Sequence, residues 1–559
     1  MISQRNGARA LAWRWPVILR ARHAAPLHRI WMLALAFTVA SFGQVTYERL
    51  LNATNDPGNW LTYNGSYMSQ HYSTLDQVTR ENVGELELKW VFQANSLEKN
   101  ETTPLVVDGV MYLTQMPNDV VALDARTGRV FWTYTHILPE VVNVCCGRIN
   151  RGLAILGETL YMGTIDGKLI ALDAKTGEVN WEVQVGDPTG GYALAHAPLI
   201  VKDKVIVGTA GGEYGIRGHL DAYDAKTGQR VWRFWTIPGP GEPGHDTWPG
   251  DAWRRGGGSI WLTGSYDPEL NLTYWGVGNP SPDWNGDVRM GDNLYTDSAI
   301  ALNPDTGELK WHFQFTPHDE WDWDAVQIPV LADIDFKGRQ RKVILWGNRN
   351  GFYYTLDRTN GEFLAGKNFV KVTWAKGLDE KGKPIKIPEA SPKREGTRVY
   401  PSVQGGTNWY APSFSPRTGL FYLSAWEYSS VYYKGDPVYT RGNRYIGSLP
   451  QGVWPDVLKD EVPGWGAIRA LDPQTGDLEW EFKMTEVSES GLLTTATDVL
   501  FSGSQQGHLL ALDAKNGKLL WRKSLGGQIT SSPISYLVDG KQRLTVAAGN
   551  VFFTFGLKD

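Results

Sequence analysis

The chain has 559 residues, a formal net charge of −5, 42% hydrophobic and 21% charged residues, which is the balance of a folded globular protein and excludes a disordered one. The acidic sign argues against nucleic acid as a partner, and 62 Gly, 30 Pro and 25 Trp point to short strands joined by tight turns rather than long helices. Two adjacent cysteines, Cys145 and Cys146, cannot supply a disulfide framework, a Cys-rich zinc site or a C-x-x-C-H haem attachment, so any haem must come from another protein.

The N-terminus reads as an export signal. Residues 1–29 carry six arginines and no acidic residue, Ile30 to Phe42 is apolar, and Ser41-Phe42-Gly43 has the small-x-small pattern of a cleavage site. A signal peptide over 1–43 is expected, with the mature chain from 44 onward in the periplasm. The apolar run falls short of the roughly 20 residues that span a bilayer, and no later segment is a transmembrane candidate.

One phrase then recurs. Ala122-Leu-Asp124-Ala-Arg-Thr127-Gly128 with Trp132 returns at 171–181, 222–232, 301–311 (Asn303 for Asp), 470–480 and 511–521 (Asn516 for Thr). Degenerate copies at Asp357 to Gly361 and Ser415 to Gly419 keep the turn, and Trp90 keeps the tryptophan. Each Asp-x-x-Thr-Gly predicts a hairpin turn in which Asp and Thr bond the backbone and Gly supplies positive φ. Eight turns spaced by roughly 40–50 residues predict an all-β, eight-bladed β-propeller over residues 44–559 as a single domain. The recurrent tryptophans are expected between blades, as packing. Two longer stretches, Trp232 to Ala301 and Thr373 to Arg398, read as insertions, the second as a surface excursion.

The repeated phrase resembles the tryptophan-docking motif of the pyrroloquinoline quinone (PQQ) dependent alcohol dehydrogenases, from about Asn59-Trp60 to the C-terminus. Similar turns occur in exported scaffold proteins of outer-membrane assembly, so polar residues must separate enzyme from scaffold. The first specific group is Cys145-Cys146-Gly-Arg-Ile-Asn150-Arg151-Gly152. Neighbouring Cα atoms lie about 3.8 Å apart, below the usual disulfide range of about 4.4–6.8 Å, so chemistry alone leaves a reduced pair open. The resemblance implies a vicinal disulfide lying against one face of PQQ, with Arg151 on a PQQ carboxylate. It further implies Trp261, in Gly256-Gly-Gly258-Ser259-Ile-Trp261, stacked on the other face, with the Ser259 hydroxyl bonding the quinone. Glu101, Thr164, Gly211, Gly212, Arg349 and Asn408 are the remaining cofactor contacts it implies.

A hard cation needs scattered oxygen donors. The resemblance assigns Glu213, Asn279 and Asp322 to that role and makes Asp322 the catalytic base. Asp324 stands where the calcium enzymes of the family carry a small uncharged residue and the lanthanide enzymes carry Asp. An extended segment would bring Asp322 and Asp324 to the same side, and a lanthanide is expected over Ca²⁺. The expected reaction is oxidation of a primary alcohol to an aldehyde, with electrons leaving to a separate soluble c-type cytochrome and a homodimer left open. The competing expectation is a non-catalytic propeller scaffold that has lost PQQ. One departure stands out: Glu489-Ser490 occupies the place where much of the family has a Trp closing the cofactor pocket.

Overall fold

The computed structural model describes residues 44–450 and 464–558; the expected leader at 1–43 lies outside them. Eight four-stranded antiparallel sheets follow one another around a wheel, at 105–134, 154–184, 199–235, 265–314, 330–368, 413–484, 493–524 and 534–556. The last is completed by Glu87–Gln93, which pairs with Val551–Gly556 and so joins the two ends of the described propeller. The short strand Tyr72–Ser73 adds a fifth, parallel strand to the seventh sheet. The fold is therefore the eight-bladed propeller expected. Among the described residues no helix is long and apolar enough to cross a membrane.

The turn phrase works as its chemistry dictates. The Asp124 carboxylate accepts the Arg126 N–H at 2.8 Å and the Thr127 hydroxyl at 3.0 Å, and its carbonyl accepts the Gly128 N–H at 2.8 Å. Six of the tryptophans then dock on the turn of the following blade, ring against the glycine and Nε1 on a carbonyl, while Trp521, which precedes the closing blade, packs against Phe555. Trp90 bonds Ala125, Trp132 bonds Ala174, Trp181 bonds Ala225, Trp232 bonds Pro304, Trp311 bonds Arg358 and Trp480 bonds Ala514, at 2.9–3.2 Å. Blade five has no such tryptophan, and Tyr353 and Lys367 pack against Gly476 instead.

Two expectations are corrected. The Ser415 to Gly419 turn joins the first two strands of blade six, Ser413–Ser415 and Leu420–Glu427, while the closing blade carries no such turn. Eight turns and eight blades are therefore equal in number without being matched one to one. The stretch after Thr373 is more than a surface excursion. Trp374 is fully buried and donates to the Asn350 carbonyl at 2.9 Å, and the hairpin Ala375–Leu378 with Pro384–Lys386 delivers Lys386 to the carbonyls of Pro317 and His318.

Blade geometry also fixes where a site can form. Neighbouring strands are antiparallel, so the crossing from one blade to the next shares a face of the wheel with the connection between a blade's second and third strands. The connections at 135–153, 209–218, 236–264, 277–297, 315–329, 348–351 and 369–412 meet on that face.

Replacing Gly177 by Ala places a Cβ 2.6 Å from the Trp132 ring on a backbone of φ +76°. The expected cost is about 1–3 kcal/mol, read as a lowered thermal midpoint with the secondary structure retained. Acid should also destabilise the wheel. Burial lowers His71, His196 and His219 to about 4, and His196 is held neutral by donating Nδ1–H to Ala197 and accepting the Gly208 N–H on Nε2, each at 2.8 Å. The unfolded chain takes up these protons near pH 6.5 and the folded chain only near 4, so stability present above pH 6.5 is lost as pH falls through that window, by up to about 3 kcal/mol per histidine. Thermal unfolding at pH 7.5 and pH 5 measures this, with the lower midpoint expected at pH 5.

Candidate active site

The converging loops enclose a cavity of about 540 Å³. Its walls hold Glu101, Cys145, Cys146, Arg151, Gly211, Glu213, Trp261, Asp322, Asp324, Arg349 and Asn408, eleven of the residues singled out in the sequence. They come from different blades, so closure of the wheel assembles them.

Cys145 and Cys146 form a disulfide. Cys146 Sγ lies 3.9 Å from a Glu213 oxygen, and Arg444 Nη2 lies 3.0 Å from Cys145 Sγ. Arg151 is buried between aromatic faces, with its guanidinium carbon 4.9 Å from the Trp261 ring and 5.3 Å from the Trp409 ring, and it pairs with Glu101 at 2.8 Å. Burial raises the Glu101 carboxyl, and the charges of Arg151 and Lys99 oppose that rise. Asn408 donates to Gln404 and leaves its own Oδ1 without a partner. The position of the expected tryptophan is taken by an ion pair, Glu489 with Lys99 at 2.7 Å, on the cavity wall.

The acidic segment departs from the extended geometry expected. Asp322 has φ +63° and no strand forms there. Side chains nevertheless alternate, because Trp321 and Trp323 stack at 4.9 Å in the core while Asp322 and Asp324 enter the cavity. Asp319 imposes this shape, its two oxygens accepting the Trp321 N–H at 3.0 Å and the Trp323 N–H at 2.9 Å. Burial pushes Asp319 up to about 6. Arg349 then spans the pair, in direct contact with Asp324 and 3.6 Å from Asp322. The Asp322 side chain is 17% exposed and that of Asp324 6%, so Asp322 is the more open of the two to the cavity. Burial drives the Asp322 carboxyl well above the usual carboxylate range; Arg349 opposes this, while Asp324, Asp283 and Glu213 add to it. Glu213 is raised by burial and then by Asp324.

Asn279 and Ser259 lie just behind the wall. The Asn279 N–H donates to Asp324 at 3.0 Å, and both Asn279 Oδ1 and Ser259 Oγ border Gly212. Gly278 makes room for this, since a Cβ there would collide with Asp324. Thr164 does not reach the cavity with its hydroxyl, which bonds the Lys168 backbone within its own turn; the neighbouring Ile165 lines the wall instead. Sequence reasoning missed Asp319, Trp409 and Lys99. For Asp319 the available signal was an Asp two and four residues before buried tryptophans; Trp409 and Lys99 carried none.

Residues 60–384 match the family model described as glucose/ethanol/alcohol dehydrogenase, β-propeller domain, and residues 465–559 match that of the outer membrane protein assembly factor BamB. The quinoprotein alcohol dehydrogenase PedH of Pseudomonas putida is 38% identical over 92% of this chain and 90% of its own. The lanthanide-dependent methanol dehydrogenase of Methylacidiphilum fumariolicum is 37% identical over 91% and 87%. Among solved structures, a europium-containing methanol dehydrogenase superposes with a TM-score of 0.85 at 35% identity, covering 91% of this chain and all of that one.

Replacing Asp319 by Ala leaves the Trp321 and Trp323 N–H groups buried without partners, an expected loss of about 1–3 kcal/mol for each donor. Near-ultraviolet circular dichroism and thermal unfolding are expected to report loosened tryptophan packing and a lower midpoint.

Proposed function

The chain belongs to the PQQ-dependent alcohol dehydrogenase family, and from that membership we propose that it is an exported, periplasmic quinoprotein oxidising a primary alcohol to an aldehyde. It uses PQQ and one metal ion, a lanthanide in preference to Ca²⁺, and passes electrons to a separate soluble c-type cytochrome. The observation that carries this reading is the pair Asp322 and Asp324 facing one guanidinium, Arg349, in a cavity walled by Trp261 and the Cys145–Cys146 disulfide.

The residues present fit both groups. Arg151 Nε and Arg349 Nε are buried donors without hydrogen-bond partners around the cavity, the complement required by a flat heteroaromatic bearing carboxylates and carbonyls, and the unpartnered Asn408 Oδ1 is an acceptor for a ring N–H of such a group. Trp261 and the disulfide are assigned to its faces, Arg151 and Arg349 to its oxygens. Glu213, Asn279, Asp322 and Asp324 are oxygen donors with excess negative charge, suited to a hard cation of high charge. When bound, the quinone supplies the hydride acceptor and the cation the Lewis acid.

The chain's own residues do the rest. Asp322, ionised beside a cation and steered by Arg349, takes the hydroxyl proton of the alcohol. Asp324 is held by Arg349 and the Asn279 N–H as a further anionic ligand. Buried tryptophans behind the segment fix both carboxylates and exclude water. Support for a lanthanide comes from Asp324 and from the likeness to the lanthanide-dependent relative. The scaffold alternative is disfavoured by the retention of every one of these charged groups.

The test is dye-linked ethanol oxidation by protein reconstituted with PQQ and given no metal, Ca²⁺ or La³⁺. Turnover with La³⁺ is expected; turnover with Ca²⁺ alone keeps the enzyme and overturns the metal preference, and absence of both turnover and bound quinone favours the scaffold. Asp322→Asn is expected to lower the rate by about 10²-fold or more while absorbance still reports bound PQQ.

A further inference from the structure

A fourth carboxylate, Asp283, stands beside the proposed cation centre. It is 1% exposed, and neither side-chain oxygen has a hydrogen-bond partner. A carboxylate buried in this way is costly unless some other group compensates it. The protein's own cations do not do so directly. Arg289, the guanidinium facing it, spends its donors on the carbonyls of Pro282, Asp283 and Asp319 and on Asn293, and it also faces Asp297 and Glu320. The charges acting most strongly on Asp283 are instead the carboxylates Glu213 and Asp324.

Asn279 links Asp283 to the centre. Its Oδ1 is turned toward Gly212, beside Glu213, and its Nδ2 makes only a long contact of 3.4 Å, to the Pro280 carbonyl. The same amide is the polar side chain next to Asp283. Asp297, also buried without partners, faces Asp319 and Asp324 rather than Asn279. Outer-shell groups around a metal site commonly change metal affinity by about 10–100-fold, and an added negative charge favours a trivalent ion over a divalent one.

Resting on the metal reading above, we infer that Asp283 flanks the cation centre beside Asn279 and adds negative charge there that selects a trivalent over a divalent cation. The experiment is isothermal titration of LaCl₃ and of CaCl₂ into the full chain, stripped of metal and supplied with PQQ, for wild type, Asp283→Asn and Asp283→Glu. Asp283→Asn is expected to weaken La³⁺ binding by about 10-fold or more and Ca²⁺ binding by less, so that the preference for La³⁺ shrinks; Asp283→Glu, which keeps the charge, is expected to retain it. An unchanged La³⁺/Ca²⁺ ratio in Asp283→Asn overturns the inference while leaving the metal site standing, whereas a wild type that takes up neither ion overturns the metal reading itself. If Asp283→Asn does not fold, Asp283→Ser makes the same comparison.

Discussion

Burial of more carboxylate than cationic charge at one end of the wheel is the constraint around which this structure is organised. Glu213, Asp322 and Asp324 in the cavity and Asp283 behind it act on one another, and the guanidinium among them is Arg349. Such an arrangement is unfavourable in an isolated chain. It persists because the surrounding framework over-determines it, and it creates the demand for a multivalent cation that the proposed chemistry meets. The same excess charge that burdens the folded protein is what would make a bound ion tight and strongly polarising.

The framework follows from repetition. A tryptophan on one blade and a glycine turn on the next make a modular joint, and the joint recurs with little change at six junctions between Trp90 and Trp480, the one after blade five using Tyr353 and Lys367 instead. Joining Glu87–Gln93 to the last blade makes the propeller a closed ring, so loops from distant parts of the chain arrive at fixed places on one face. Beneath them, Trp321, Trp323 and Trp374 form a buried aromatic support, with Lys386 and Asp319 fixing the backbone above it. Rigid indoles and hydrogen-bonded backbone thus hold polar groups that would otherwise reorganise around solvent.

What the sequence reveals is what depends on local pattern. The docking phrase carries the all-β wheel, because Asp, Thr and Gly in that spacing define one turn wherever they occur. The Ser415 turn misleads for the same reason, as a local signal cannot say which pair of strands it joins. Eleven of the singled-out residues line the cavity, yet they were legible through resemblance rather than spacing, since they come from several loops far apart in the chain. Thr164 shows the limit, its hydroxyl being consumed by its own turn. Asp319 and Asp283 look like ordinary acidic loop residues in the sequence; their burial depends on contacts that form only when the wheel closes. Glu489 reads as a missing tryptophan, and only the structure supplies its partner Lys99.

The central claim, that this cluster of carboxylates is a site for a highly charged cation, is tested most directly by thermal unfolding of the full chain after metal removal, with EDTA, Ca²⁺ or La³⁺ at matched concentrations. An ion that binds the folded state alone raises the midpoint by an amount that grows with the logarithm of its affinity. The account predicts a clear rise with La³⁺ and a smaller one with Ca²⁺, and a midpoint unmoved by either ion would contradict it.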